Sequence, residues 1–322
     1  MVECILPNLF RIEIPLPESP LKSLNSYVIK APDRNLIVDT GFNRKECLKA
    51  MKNGLKELDI KLEKTDLFIT HLHADHFGLV SELTTDGRKV FFNQPDADVI
   101  QAWDGFDYLV QYAHMSGFPE DELRSALENH PAGKYLADGV PELSILKDGD
   151  MIEIGDFRFK CIETPGHTRG HMCLYESEKK IFLSGDHVLH DITPHIQCWS
   201  DDLNPLKNYL ASLGKVYPLD VDLVLPGHRR LFNNYRERID ELKQHHQERA
   251  EEVLSILENG PRNAYQIAPD MSWDIDCESW EQFPLMQKWF ATGETIAHLK
   301  YLEEEGMISR KMAGELIVYC KN

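Results

Sequence analysis

Short apolar or alternating runs, each broken by a turn signal, open the chain. NLFRIEIPL (8–16), NSYVIKAP (25–32) and NLIVDTG (35–41) predict strands, with a Pro-Asp turn between the last two. RKECLKAMKNGLKEL (44–58) then places Cys47, Leu48, Met51, Leu55 and Leu58 near helical period. TDLFIT (65–70) reads as a buried strand, FGLVSEL (77–83) as helix and RKVFFN (88–93) as another strand. A mainly helical insertion is expected over about 95–139. Four further strands follow in MIEIG, FRFKCIET, HMCLYES and KKIFLSG, then a helix over 205–216 and the strand VDLVLPG. This order predicts an α/β sandwich. Four of the apolar runs end alike, LIVD-TG, LFIT-H, IFLSG-D and LVLPG-H, each closing on a polar side chain. Sites in α/β folds gather where strands give way to loops, so these ends are expected to share one edge.

The pattern changes beyond Phe232. NNYRERIDELKQHHQERAEEVLSILENG (233–260) is a long amphipathic helix stopped by Gly260–Pro261, with His245 and His246 expected at its surface. Residues 285–305 again have helical period, and GMISRKMAGELIVYCK (306–321) reads as a hairpin. The expected division is therefore a catalytic domain over 1–231 and a helical, winged-helix-like C-terminal domain over 232–322. Residues 231–322 carry ten Lys and Arg against seventeen Asp and Glu, and the candidate recognition helix GETIAHLKYLEEEG ends in three glutamates. A DNA-reading helix should be basic, so an intramolecular or dimer contact is the expected role.

Charge extends that argument to the whole chain. A formal charge of −18 over 322 residues opposes steering toward nucleic acid or acidic membranes, although a local basic channel remains compatible with it. No apolar run approaches the ~18–20 residues of a membrane-spanning helix. The N-terminal stretch MVECILPNLFRIEIPLPESP lacks a basic start and is broken by proline, so no secretory signal is expected. The seven cysteines (4, 47, 161, 173, 198, 277 and 320) are odd in number and never spaced C-x-x-C. They read as reduced thiols of a cytoplasmic protein.

The candidate chemistry starts at THLHADHFG (70–78), which concentrates His71, His73, Asp75 and His76. Imidazole and carboxylate are the usual ligands of zinc and of iron or manganese. His71 and His73, two apart on a loop leaving a strand, can turn toward one ion; Asp75 and His76 can face a second. Later strand ends add His167 in ETPGHTRGH, Asp186 in SGDH and His228 in LPGH. Five histidines and two aspartates are enough for two ions sharing a bridging carboxylate.

With THLHADHFG, TPGHTRGH, LSGDHV and LPGH in this order, the chain to about residue 230 resembles the metallo-β-lactamase superfamily. The resemblance implies an αββα sandwich in which His71, His73 and His167 bind one metal, Asp75, His76 and His228 the second, and Asp186 bridges them. Asp39 in IVDTG would orient ligands from behind. Two divalent ions are implied, zinc first, with iron or manganese as alternatives. His73 stands where redox-active diiron relatives carry an acidic residue, and Asp186 stands where true β-lactamases usually lack an aspartate. Both details favour hydrolysis of something other than an antibiotic.

TPGHTRGH is similar to the glyoxalase II and lactonase side of the superfamily. The tail resembles a lactamase-like group that includes RNA-cleaving members. The expected activity is hydrolysis of a small-molecule ester, thioester or lactone by metal-activated hydroxide, with Asp75 orienting the nucleophile. A metal-dependent endoribonuclease is the alternative. His195 and Arg169 are candidate substrate contacts, and a homo-oligomer is compatible with the tail. His171 and His187 are expected outside the ligand set. The aromatic stretch AWDGFDYLVQYAHMSGF (102–118) is either lid or core.

Overall fold

The structure, a computed structural model, describes the chain except residues 103–106, 121, 124, 126–129, 136, 138 and 276. Seven strands form the first sheet in chain order: β1 (Val2–Leu6), β2 (Leu9–Pro15), β3 (Ser23–Ile29), β4 (Asn35–Val38), β5 (Thr65–Phe68), β6 (Val90–Asn93) and β7 (Leu143–Leu146). Pairing is antiparallel up to β4 and parallel from β4 to β7. The second sheet comprises β8 (Met151–Ile154), β9 (Phe157–Glu163), β10 (Met172–Glu176), β11 (Ile181–Gly185) and β12 (Leu223–Pro226), in the order β12-β11-β10-β9-β8. Only β11 and β12 are parallel there.

Side-chain alternation assigns each strand residue to a layer. Leu36 and Val38, Phe68, Leu174, Ile181, Leu183 and Leu225 point between the sheets with Phe157 and Phe159. Their neighbours Ile37 and Leu67 point outward beneath the helix Lys45–Glu57, whose Cys47, Met51 and Leu55 cover the first sheet. Cys173, Phe182 and Val224 point out of the second sheet, against the helix Pro205–Val216 and the C-terminal helices. Two sheets between helical layers make the αββα sandwich expected from the motifs.

The sequence pattern missed β1 and β7. Both are edges of the first sheet, and their half-exposed residues give no strong alternation. The predicted helix over 77–83 is two single turns, Ala74–Phe77 and Val80–Leu83.

The C-terminal segment packs helix Tyr235–Leu257 against helix Leu285–Glu304, followed by the hairpin β13 (Ile308–Ala313) and β14 (Leu316–Lys321). It shares one continuous core with the outer face of the second sheet. His246 corrects an expectation: it is buried, not at the surface, with its ring edge-on to Tyr209 and its Nδ1 3.3 Å from His298 Nε2. The helix turns this face inward because the helices Pro205–Val216 and Leu285–Glu304, not solvent, lie beneath it. Part of the aromatic stretch over 102–118 lies outside the described residues. Of its described part, Tyr112, Ala113 and Phe118 belong to the core, with Phe118 packed against Tyr265 and Trp289, whereas Tyr108 is exposed. Among the described residues no helix is long and apolar enough to cross a membrane.

Candidate metal centre

Strands β4, β5, β9, β11 and β12 run the same way and discharge their polar ends at one edge of the sandwich. Directly after β4 the backbone of Asp39 adopts a left-handed conformation (φ 60°), which aspartate tolerates better than most residues. That turn aims its carboxylate at the first histidine loop. Oδ1 accepts the Thr70 amide at 2.8 Å, and Oδ2 lies 2.9 Å from the Thr70 hydroxyl and 2.8 Å from His76 Nδ1. Thr70 Oγ1 in turn lies 2.9 Å from His71 Nδ1. Asp39 thus fixes one nitrogen of two imidazoles, and the Nε2 atoms of both face away from it into the site.

The second half of the chain uses the same device. His167 Nδ1 donates to the His195 carbonyl at 2.7 Å, and His228 Nδ1 donates to the Ser23 carbonyl at 2.8 Å. Gly166 (φ 147°) permits the His167 turn to lie against helix Pro205–Val216, where a Cβ would fall 2.6 Å from the Tyr209 Cα. Asn25 secures the loop before His228, donating its side-chain amide to the Pro226 and Arg229 carbonyls at 3.0 and 2.9 Å.

All seven residues singled out by the motifs come together. They form three groups able to hold a metal ion: His71, His73 and His167; His71, His76 and Asp186; and Asp75, His76 and His228. His71 Nε2 lies 3.0 Å from His73 Nδ1, His76 Nε2 lies 3.3 Å from His228 Nε2, and His228 Nε2 lies 3.3 Å from Asp75 Oδ2. Asp186 Oδ2 stands centrally, 3.5 Å from His228 Nε2, 3.6 Å from His76 Nε2 and 3.7 Å from His167 Nε2. A zinc ion with nitrogen ligands at ~2.0–2.1 Å holds adjacent ligand atoms about 3.3 Å apart, so this spacing fits a shared cation. Buried His167 Nε2 and Asp186 Oδ1 have no hydrogen-bond partner, a cost that a metal ion would remove.

Charge is divided within the cluster. Burial lowers the pKa of His71, His73 and His167, leaving them neutral and ready to donate a lone pair. Burial also opposes charge on His76, but the Asp39, Asp186 and Asp75 carboxylates outweigh it and raise its pKa well above the usual value. His228 is held at about 10 against burial by Asp186 and Asp75. Asp75 is pulled down to about 2, because His76 and His228 overcome the penalty of burial. In the metal-free protein two protons therefore stand where cations would.

The remaining candidates have other places. His171 Nδ1 lies 2.8 Å from the Thr164 hydroxyl and its Nε2 accepts the Asp186 amide at 3.1 Å. His187 is buried beside the Tyr209 ring. The His195 ring turns away from the cluster and donates from Nε2 to the Phe290 carbonyl at 2.9 Å, while its own carbonyl holds His167. Arg169 lines a cleft opening beside His73 and His167.

Sequence reasoning missed Asp96. This fully buried carboxylate accepts from the Leu72 amide at 2.9 Å, the Thr168 hydroxyl at 2.8 Å and the Gly170 amide at 2.7 Å. It ties the loop carrying His71 and His73 to the loop carrying His167. Burial pushes its pKa up to about 6 despite those three donors. Asp96 lies in the first turn of the helix Gln94–Gln101, three residues past β6, where an acidic residue is an ordinary helix-start feature and marks no site.

Residues 21–228 match the family model described as metallo-beta-lactamase superfamily. The chain belongs to this superfamily. Residues 250–319 match a second model, the metallo-beta-lactamase-like C-terminal domain. Among curated relatives, a probable metallo-hydrolase of Bacillus subtilis (YqjP) is 24% identical over 97% of both chains. The human acyl-coenzyme A thioesterase MBLAC2 is 24% identical over 66% of this chain and 75% of its own length. A solved metallo-beta-lactamase family protein from Thermus thermophilus, TTHA1429, superposes with a TM-score of 0.83 at 28% identity, covering 99% of this chain and 100% of its own. The protein is a hydrolase of this superfamily whose His/Asp cluster is able to bind metal.

Proposed function

We propose that the protein hydrolyses a small-molecule thioester, with two divalent metal ions that the seven residues, Asp186 among them, would hold. The carrying observation is three ligand groups chained through His71 and His76, with Asp186 in the middle group, beside an open cleft. Bound at these positions, divalent cations would supply a nucleophilic oxygen from water at neutral pH and draw charge from the carbonyl under attack. The chain's own residues do the rest. Asp75, kept ionised by His76 and His228, is an acceptor that orients the attacking water. His73 and His167 stand at one side of a cavity of about 200 Å³ whose other walls include Leu72, Val99, Leu203 and Pro205. An acyl chain fits such walls, with its carbonyl toward the histidines. Water oxygen bonds to the carbonyl carbon, the C–S bond breaks, and the thiolate leaves with a proton from that water.

Thioester is preferred over simple ester or lactone because a 24% identical relative is an acyl-coenzyme A thioesterase by name. Against the RNA alternative, four cations of the C-terminal segment are neutralised internally: Lys300 and Arg310 by Asp201, Arg262 by Asp270 and Lys321 by Glu258. The seven cysteines are free, in keeping with a reducing compartment such as the cytoplasm.

The test presents thioester, ester, lactone and single-stranded RNA to one preparation, with metal content measured in parallel. Thioester turnover that disappears on chelation and returns with zinc is expected. Undiminished turnover after complete metal removal refutes the mechanism, and RNA cleavage without thioester cleavage refutes the substrate class.

A further inference from the structure

Among the described residues that line the cleft, Arg169 is the one Lys or Arg. Its side chain is exposed and, among the described residues, makes no hydrogen bond or ion pair. That is notable in a chain with 53 acidic and 35 basic residues, where a surface guanidinium has many carboxylates to choose from. The backbone around it is fixed. Thr168 on one side and Gly170 on the other are both bonded to buried Asp96, at 2.8 and 2.7 Å. Gly170 also has no room for a side chain, since a Cβ would lie 2.7 Å from the Asp96 amide nitrogen. The arrangement anchors the main chain on both sides and leaves the exposed side chain lining the cleft, two residues beyond His167.

Gln197 lines the same cleft. Its amide oxygen accepts the Trp199 indole N–H at 2.9 Å, which leaves its NH2 group as the end available to a ligand. Trp199 is itself stacked on Trp289 of the C-terminal helix, with ring centroids 3.9 Å apart. The Cys198 amide donates to the Gly293 carbonyl at 3.0 Å on that helix. The C-terminal segment thus sets the position of one polar group in the cleft, while the Asp96 clasp sets the other.

We infer that Arg169, with Gln197 across the cleft, is a specificity site for the leaving group, selecting thioesters whose thiol carries phosphate or carboxylate groups. This rests on the thioester reading of the metal centre. The planar fork of a guanidinium can bond such oxyanions in pairs, and a cleft with apolar walls strengthens the attraction. The acyl chain then occupies the apolar side, the carbonyl lies by the histidines, and the anionic end of the thiol reaches Arg169. Hydrolysis itself is unchanged: the C–S bond is replaced by C–O from water, and the thiol departs with its proton.

The experiment compares kcat/KM for acyl-coenzyme A, acyl-glutathione and the uncharged acyl-N-acetylcysteamine on wild type and Arg169→Gln. A charge-selecting Arg169 lowers the ratio of anionic to neutral kcat/KM at least about ten-fold in the variant, mainly through KM. The ratio cancels any loss of folded or metal-loaded enzyme. Coenzyme A and glutathione arms separate phosphate from carboxylate recognition. In wild type, raising salt from 50 to 500 mM should raise KM for the anionic substrates more than for the neutral one. A ratio unchanged within two-fold overturns the inference. If wild type cleaves no thioester, the thioester reading fails, and calorimetric binding of free coenzyme A and glutathione decides the site separately. Binding weakened in Arg169→Gln sustains it; equal binding, or none, overturns it.

Discussion

Asp96→Asn separates positioning from stability. The carboxylate serves three donors at 2.7–2.9 Å, two of them backbone amides in the two loops that carry His71, His73 and His167. Asparagine offers one acceptor oxygen. With that oxygen facing Gly170, the Thr168 hydroxyl can rotate to accept from the new NH2 group, but the Leu72 amide is left without an acceptor. A stranded buried donor costs about 1–3 kcal/mol. Against this stands the relief of a buried charge. A pKa raised from 3.8 to about 6 corresponds to about 3 kcal/mol of destabilisation by the ionised form at neutral pH. The sign follows from linkage: the folded value lies above the unfolded one, so the stability present below pH ~4 is lost as pH rises through 6. The two terms nearly cancel, so thermal stability at pH 7.5 should change by no more than about 2 kcal/mol. Metal binding has no such compensation, because the Leu72 segment between His71 and His73 loses its anchor. Affinity for the first metal should fall about 10–100-fold. Competition with a chromogenic chelator measures that affinity, and calorimetry the stability. Wild-type metal affinity in a folded variant would refute the clasp.

Metal uptake at pH 7 should release about two protons, one each from His76 and His228, which the carboxylates hold protonated in the metal-free protein. Titration calorimetry in buffers of different ionisation enthalpy counts them; release of none would contradict the charge assignment. For His228 the folded pKa is raised, so its contribution to metal-free stability is complete below pH ~6.5 and is lost as pH rises through about 10. A thermal midpoint of the metal-free protein that does not fall over that range would count against it. Gly166→Ala should lose about 3 kcal/mol or more, because its φ of 147° disfavours a side chain and the new Cβ meets the Tyr209 backbone. Circular dichroism melting with near-native stability would show that the turn relaxes instead.

Much of the site was legible in the chain because ligand chemistry restricts residue type. Few residues other than His, Asp, Glu and Cys bind such ions, and strand ends with polar side chains stand out after apolar runs. His71, His73, Asp75, His76, His167, Asp186 and His228 could therefore be collected without coordinates. Inner strands were legible for a related reason, since wholly buried β4, β5 and β11 each carry an apolar run: Leu36, Ile37 and Val38; Leu67 and Phe68; Ile181, Phe182 and Leu183. Edge strands β1 and β7 were not, because one exposed side removes the demand for pattern.

Other features depended on partners distant in sequence. Whether His246 faces water or a core depends on the two helices behind it, which its own helix does not encode. Asp96 carries no metal-binding pattern, and its role exists only because residues 72, 168 and 170 arrive around it. His195 contributes through a backbone carbonyl, a group every residue has, so no side-chain signal could mark it. The sequence by itself determined which chemistry is present, since side chains bring their ligand atoms wherever they go. Only the tertiary structure decided which of them converge, because hydrogen bonds and packing between distant segments set direction at the ångström scale.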